Sequence, residues 1–255
     1  MDWRTVVAYA DCRIPEFNST LDSNTMPRHL SSVSFLLIVL LSSCYGRCLM
    51  ADDKAVERWE KEIVSIEQRI AAGESPTNAT LFVGSSSIRL WNLKQFFPEI
   101  PTANHGVGGS VIADSVQFFD RIVVPVTPAR IVLYAGDNDI AAGNSPETVH
   151  EDFLKFVSQV EQKLPDCQQI IFISIKPSTR RWAMAEKIQQ ANTLIKATCE
   201  TNKRLKFVDI WNSMLNEEGL PNNDLLLFDG LHMTGKGYEI WTEALRPLLP
   251  MPATP

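Results

Sequence analysis

An α/β fold is what this sequence predicts: a three-layer sandwich around a central, mostly parallel five-stranded sheet. Two observations carry that expectation. Short apolar runs alternate with longer stretches of helical periodicity, and most of those runs end in Gly, Ser, Asn or Asp. In addition, Ile170–Ile175 is unbroken by any charge, as a central parallel strand covered on both faces requires.

The elements follow in order. Val56, Trp59, Ile63, Ile66 and Ile70 step by three and four, so Asp53–Ala72 reads as an amphipathic helix that Gly73 and Pro76 end. Thr80–Val83 is a short apolar strand leading into a serine turn. A weaker second strand ends at Asn104, and Val111–Val123 is helical until Pro125 and Pro128 break it. Ile131–Ala135 is the third strand, closing in Gly136-Asp137-Asn138-Asp139. Pro146 opens a long helix with Val149, Phe153, Val157, Val160 and Leu164 on one face. After Ile170–Ile175 come a helix over Ala183–Cys199, a fifth strand over Leu205–Asp209 and a closing helix over Gly235–Leu249.

At 255 residues and 45% hydrophobic content, the chain can bury the core of one such domain, placed at 52–255 behind an extension at 1–51. A net charge of -6 leaves no electrostatic footprint for nucleic acid. The four His and five Cys show no zinc-ligand spacing, so neither metal nor cofactor is implied. In the extension, Met26-Pro27-Arg28-His29 precedes the apolar run Val33–Leu41, which is followed by small residues. That is the layout of a secretory signal, and it is shorter than the ~20 residues of a membrane span. Export to the periplasm or the medium is therefore expected, in preference to a buried core element. Leu41-Ser42-Ser43-Cys44 resembles the lipobox of bacterial lipoproteins, which makes a lipid anchor at Cys44 the narrower alternative to plain export. Cys167 and Cys199 fall at the N-terminal edge of the sheet; an oxidising compartment would allow a bridge, though unpaired buried thiols are the commoner outcome.

Strand order sends Ser86, Gly108-Gly109, Asn138 and the loop Pro177–Trp182 to the carboxyl ends of the strands, where open α/β sheets bind ligands. Late in the chain, Asp229-Gly230-Leu231-His232 adds a carboxylate and an imidazole. A serine hydroxyl needs a base to become a nucleophile, and His232 is the candidate, with Asp229 able to accept from its other ring nitrogen. Acyl transfer also needs donors for an oxyanion; the Gly109 N–H, the Asn138 amide and the Ser86 N–H suit that role. Singly, each stretch has a plainer reading as a cap, a turn or a satisfied surface histidine. Together, in this order and after these strands, they point to one site.

Gly84-Ser85-Ser86, Gly109, Gly136-Asp137-Asn138-Asp139 and Asp229-Gly230-Leu231-His232 resemble the four blocks of the SGNH (GDSL-like) hydrolase family across about residues 80–249. The resemblance implies a flavodoxin-like SGNH fold with Ser86 as nucleophile, Gly109 and Asn138 as oxyanion donors, and Asp229 and His232 as the remaining dyad. Its acetylhydrolase-like subgroup, similar to platelet-activating-factor acetylhydrolase catalytic subunits, implies a short, acetyl-sized acyl group on a carbohydrate or lipid. One departure is Ser85, where the family usually has Asp; it leaves Ser85, Ser86 and Ser87 in competition, with Ser86 favoured two residues after Gly84. The nucleophile elbow Gly-x-Ser-x-Gly is excluded by Ile88, and no phosphate-loop Gly-Lys-Ser/Thr is present. His105 and Trp91 read as structural, and Arg180, Arg181 and Trp182 as a solvated arginine pair beside a packing tryptophan. The expected function is a serine esterase on a small-molecule or glycan ester. The rival from another class is a non-catalytic carbohydrate-binding module.

Residues 1–25 carry Asp2, Asp11, Glu16 and Asp22, which suit a signal's basic start poorly, so translation is expected to begin at Met26. Peptide mapping of native protein should find nothing from residues 1–25; any such peptide refutes the assignment.

Overall fold

The computed structural model describes residues 57–249. The apolar run Val33–Leu41, Met26, Cys44 and the boundary at 51/52 lie outside the described residues. The strands are β1 (Thr80–Gly84), β2 (Thr102–Gly106), β3 (Arg130–Tyr134), β4 (Gln169–Ile173) and β5 (Leu205–Val208). They lie in the order β2-β1-β3-β4-β5, and every pairing is parallel. The chain thus leaves β1 for one side with β2 and returns to the other with β3. That reversal opens a crevice at the carboxyl ends of β1 and β3.

Alternate residues of each strand face opposite layers. Leu81, Val83, Ile131, Leu133, Ile170 and Phe172 pack on one side. Their partners are Trp59 and Ile63 of α1 (residues 57–71), Phe153 and Phe156 of α7 (Pro146–Lys163), and Ile188 and Ile195 of α8 (Ala185–Thr201). Also on this side are α4 (Ile112–Gln117) and α5 (Phe119–Ile122), through Ile112, Phe119 and Ile122. Phe82, Val132, Tyr134, Ile171 and Ile173 face the other side. There they meet Trp91, Phe97 and Trp241, brought by α2 (Ser86–Arg89), α3 (Leu93–Phe96) and α9 (Gly235–Leu245) with their flanks. Each such side chain contributes about 1.5–3 kcal/mol on burial, so both faces must be covered.

Several boundaries differ from expectation. The helix expected over Val111–Val123 is interrupted at Phe118 (ψ 9), and Phe118, Phe119, Ile122 and Val123 are all buried as a result. The closing helix stops at Leu245 and tightens into a 3-10 turn at Arg246–Leu248, because Pro247 supplies no N–H. The helix expected from Ala183 begins at Ala185, after a 3-10 turn over Thr179–Met184. A short helix α6 (Asp137–Ala141) takes up the Gly-Asp-Asn-Asp turn. Arg121 of α5 clamps α1 by donating to both Glu60 and Glu67 at 2.7–2.9 Å.

Cys167 and Cys199 are free buried thiols, and burial pushes Cys199 up to about 12. Trp91 belongs to the core, as expected, against Phe82, Phe97, Tyr238 and Trp241.

His105 is structural. Its Nδ1–H donates to the Ile122 carbonyl at 2.6 Å, and Nε2 accepts from the Ser75 hydroxyl at 2.8 Å. Burial holds it neutral, with its pKa lowered from 6.5 to about 4. Because the folded value is depressed, the unfolded chain binds the extra proton between those two values. Stability should therefore fall with acid from pH 6.5 to about 4, by at most about 1.4 kcal/mol per pH unit. Denaturant titrations of His105→Gln across that window should show a flatter profile than wild type; an equal slope assigns the acid sensitivity elsewhere.

Candidate active site

The turn after β1 is set by a close approach. Gly84 has φ +135, and a Cβ there would stand 1.8 Å from the Tyr134 carbonyl oxygen. The next N–H, of Ser85, donates to that same oxygen at 2.9 Å. The chain then turns directly into α2, with Ser86 in its first position. Burial resolves the three serines: Ser85 and Ser87 are buried, whereas Ser86 is half-exposed. Ser85 Oγ, where the family usually has Asp, finds no hydrogen-bond partner among the described residues.

His232 arrives on a closed loop. Leu226 bridges Met233 in antiparallel fashion, the Leu227 N–H donates to the His232 carbonyl at 2.7 Å, and Gly230 turns at φ +66. Within that loop Asp229 Oδ1 accepts from the N–H groups of Leu231 (2.9 Å) and His232 (3.0 Å). Its Oδ2 accepts from His232 Nδ1 at 2.5 Å. That fixes the tautomer, and His232 Nε2 accepts from Ser86 Oγ at 3.0 Å. Partial burial pushes the Asp229 carboxyl upward, but the bonds from His232 and the two N–H groups outweigh it and hold the group at about 2. Asp229 therefore stays ionised at neutral pH.

Gly109 and Asn138 join this centre through Ser110. The Val107 N–H (2.8 Å) and the Ser110 hydroxyl (3.3 Å) both donate to the Gly84 carbonyl, binding the loop after β2 to the end of β1. Gly109 has φ +83 and lies beneath Trp59. Asn138 Nδ2 donates one proton to the Ser110 carbonyl at 3.1 Å, which leaves the other available to a ligand. All five residues singled out from the sequence therefore cluster at the carboxyl ends of β1, β2 and β3.

The structure adds residues that the sequence did not single out. Lys176, three residues past β4, is buried, and its Nζ donates to Tyr134 Oη (3.2 Å) and Asp137 Oδ2 (3.3 Å). Asp137 Oδ1 accepts the Asn138 N–H at 3.0 Å. No linear pattern marks Lys176, because a lysine three residues past an apolar strand ordinarily returns its charge to solvent. Asp139 is also buried, with Oδ1 accepting the Ile112 N–H at 3.0 Å, and burial raises its carboxyl to about 7. The arginine pair requires a correction. Arg180 is exposed, but Arg181 is half-buried and donates from Nη2 to Asn138 Oδ1 at 3.3 Å. Trp182 packs as expected, stacked on Trp211 at 6.1 Å between ring centroids. Among the described residues no group of three or more His, Cys, Asp or Glu is placed to hold a metal ion.

A serine bonded to a carboxylate-oriented histidine, with amide donors on the adjoining loops, is equipped for acyl transfer. Comparison with known proteins agrees. The chain is 22% identical over 199 residues to human platelet-activating factor acetylhydrolase IB subunit alpha1, covering 75% of this chain and 83% of that protein. The rat alpha2 subunit is 23% identical over 164 residues (62% of this chain, 70% of that protein). Among solved structures, one from Streptococcus pneumonia superposes with a TM-score of 0.69 at 20% identity, covering 81% of this chain and 99% of that one. A GDSL-like lipase from Bacteroides thetaiotaomicron gives 0.63 at 22% identity, covering 73% and 96%. These structural likenesses bear on the fold. The model of the GDSL-like Lipase/Acylhydrolase family matches residues 86–240, from the serine to the last helix, so this chain belongs to that family and is a carboxylic ester hydrolase.

Proposed function

We propose that the protein hydrolyses short-chain, acetyl-sized esters of a carbohydrate or lipid alcohol through an acyl-enzyme formed on Ser86. The observation that carries this is the hydrogen-bonded chain Asp229–His232–Ser86, at 2.5 and 3.0 Å. Ser86 Oγ attacks the ester carbonyl while His232 Nε2 takes its proton. The tetrahedral oxyanion is met by the N–H groups of Ser86 and Gly109 and the free amide proton of Asn138, and His232 then protonates the departing alcohol. Water repeats the steps and releases the acid. Each oxyanion donor is worth roughly 3–4 kcal/mol of barrier.

Acetyl as the acyl group is supported by the acetylhydrolase names of the relatives. A lipid or acylated alcohol is supported by exposed Leu227 and Phe228, which give the rim beside Asp229 an apolar side. The apolar run at 33–41 supports export, with the site working outside the cytoplasm.

With 4-nitrophenyl acetate, Ser86→Ala should lower kcat by about 10⁴ or more, and Asp229→Asn, which disturbs the tautomer, by a comparable factor. Unchanged turnover in Ser86→Ala would remove the nucleophile from the scheme. With activity established, acetylated sugars against acetylated lipids would settle the alcohol.

A further inference from the structure

We propose that Arg181 is a positioning residue for the oxyanion site: it holds the Asn138 amide with its nitrogen turned toward the reacting carbonyl. The proposal rests on the esterase reading for its kinetic consequences, but its geometry stands alone. A neutral amide has two orientations of nearly equal shape, and only one of them presents a donor. Two bonds separate them here: Asn138 Oδ1 accepts from Arg181 Nη2 at 3.3 Å, and Asn138 Nδ2 donates to the Ser110 carbonyl at 3.1 Å. Turned over, the amide would set NH₂ against guanidinium and oxygen against carbonyl oxygen, so both bonds would be lost and replaced by like-to-like contacts. An oxygen would then also face the developing oxyanion.

The backbone below the amide is fixed separately. Asp137 Oδ1 takes the Asn138 N–H, and the buried Lys176 holds Asp137 Oδ2. What remains free is the amide's own rotation, and Arg181 governs it. Arg181 is itself held on both sides. The Arg180 N–H donates to the Gly230 carbonyl at 3.0 Å, and Trp182 stacks on Trp211. The loop that carries Arg181 is thereby docked onto the loop that carries Asp229 and His232. Its guanidinium Nε is buried without a partner, so Nη2 to Asn138 is the polar contact the structure gives this side chain.

The test is a double-mutant cycle with a spectroscopic arm. Arg181→Met should lower kcat on 4-nitrophenyl acetate by on the order of tenfold, the scale of one hydrogen bond, with KM within about twofold of wild type. Asn138→Ala should cost about 10²–10³. In the Asn138→Ala background, Arg181→Met should cost nothing further; with Asn138 intact, Arg181→Lys, which keeps a donor for this single contact, should retain most of the activity that Arg181→Met loses. Losses that multiply in the double variant overturn the proposal, as does a raised KM with kcat intact. The independent arm is the Asn138 side-chain amide pair in a ¹H–¹⁵N spectrum, assigned by its absence in Asn138→Ala. It should move toward the position of solvent-exposed amides in Arg181→Met. An unmoved pair overturns the proposal whatever the turnover, while a pair that moves in a protein without turnover upholds it and removes the esterase reading instead.

Discussion

No side chain fits at position 84. The Tyr134 carbonyl oxygen occupies the place where a Cβ would stand, 1.8 Å away, and the same oxygen receives the next N–H. Gly84 pairs with Gly106 on one side and with Tyr134 on the other, so β1 ends in register with both neighbours. The switch in strand order then separates the loops that follow. One rises over β2 with Gly109, another over β3 with Asn138, and Ser86 emerges between them. The position of Ser86 is thus a consequence of backbone contact, not of side-chain preference. The Gly84 carbonyl extends the effect by taking bonds from Val107 and Ser110, which draw the glycine loop back to the serine turn.

Beneath this mouth lies a buried polar network of unusual cost. Lys176 and Asp137 form an ion pair away from water, and Tyr134 Oη is fully buried beside them. Removing two charges from solvent is rarely repaid in stability by their attraction. The pair is better understood as a tie among turns: Lys176 follows β4, Asp137 follows β3, and Tyr134 ends β3. On the same face of the sheet as Tyr134, the Tyr238 hydroxyl donates to the Ser87 carbonyl at 2.9 Å. Tyr238 and Trp241 also stack and pack against Trp91. α9 therefore links the serine turn to the chain that has just supplied His232, and the aromatic layer forms a floor beneath Ser86 and His232.

Much of this was legible in the sequence because the signals were local or periodic. Five apolar runs in alternation with helical periodicity defined the parallel sheet, and turn residues after each run marked the rim. The Asp229-x-x-His232 spacing announced a carboxylate that could hold a ring. Other features depend on packing that no linear pattern states. Of three consecutive serines, spacing from Gly84 favours Ser86, and burial of Ser85 and Ser87 with the bond from Ser86 to His232 separates it from its neighbours. Arg181 read as solvated because its acceptor, Asn138, lies forty-three residues away. Lys176 escaped notice because a charge after a strand normally marks the return to solvent. Phe118 broke a helix whose periodicity continued across it, as tertiary burial of adjacent phenylalanines overrode the local pattern.

The central claim is that folding selects one serine of three and activates it through His232. Labelling the folded protein with an alkyl fluorophosphonate, followed by tandem mass spectrometry of the peptide containing residues 85–87, tests it most directly. The account predicts a single adduct on Ser86 that disappears in His232→Ala and after unfolding. An adduct on Ser85 or Ser87, or no adduct in the native protein, would contradict it.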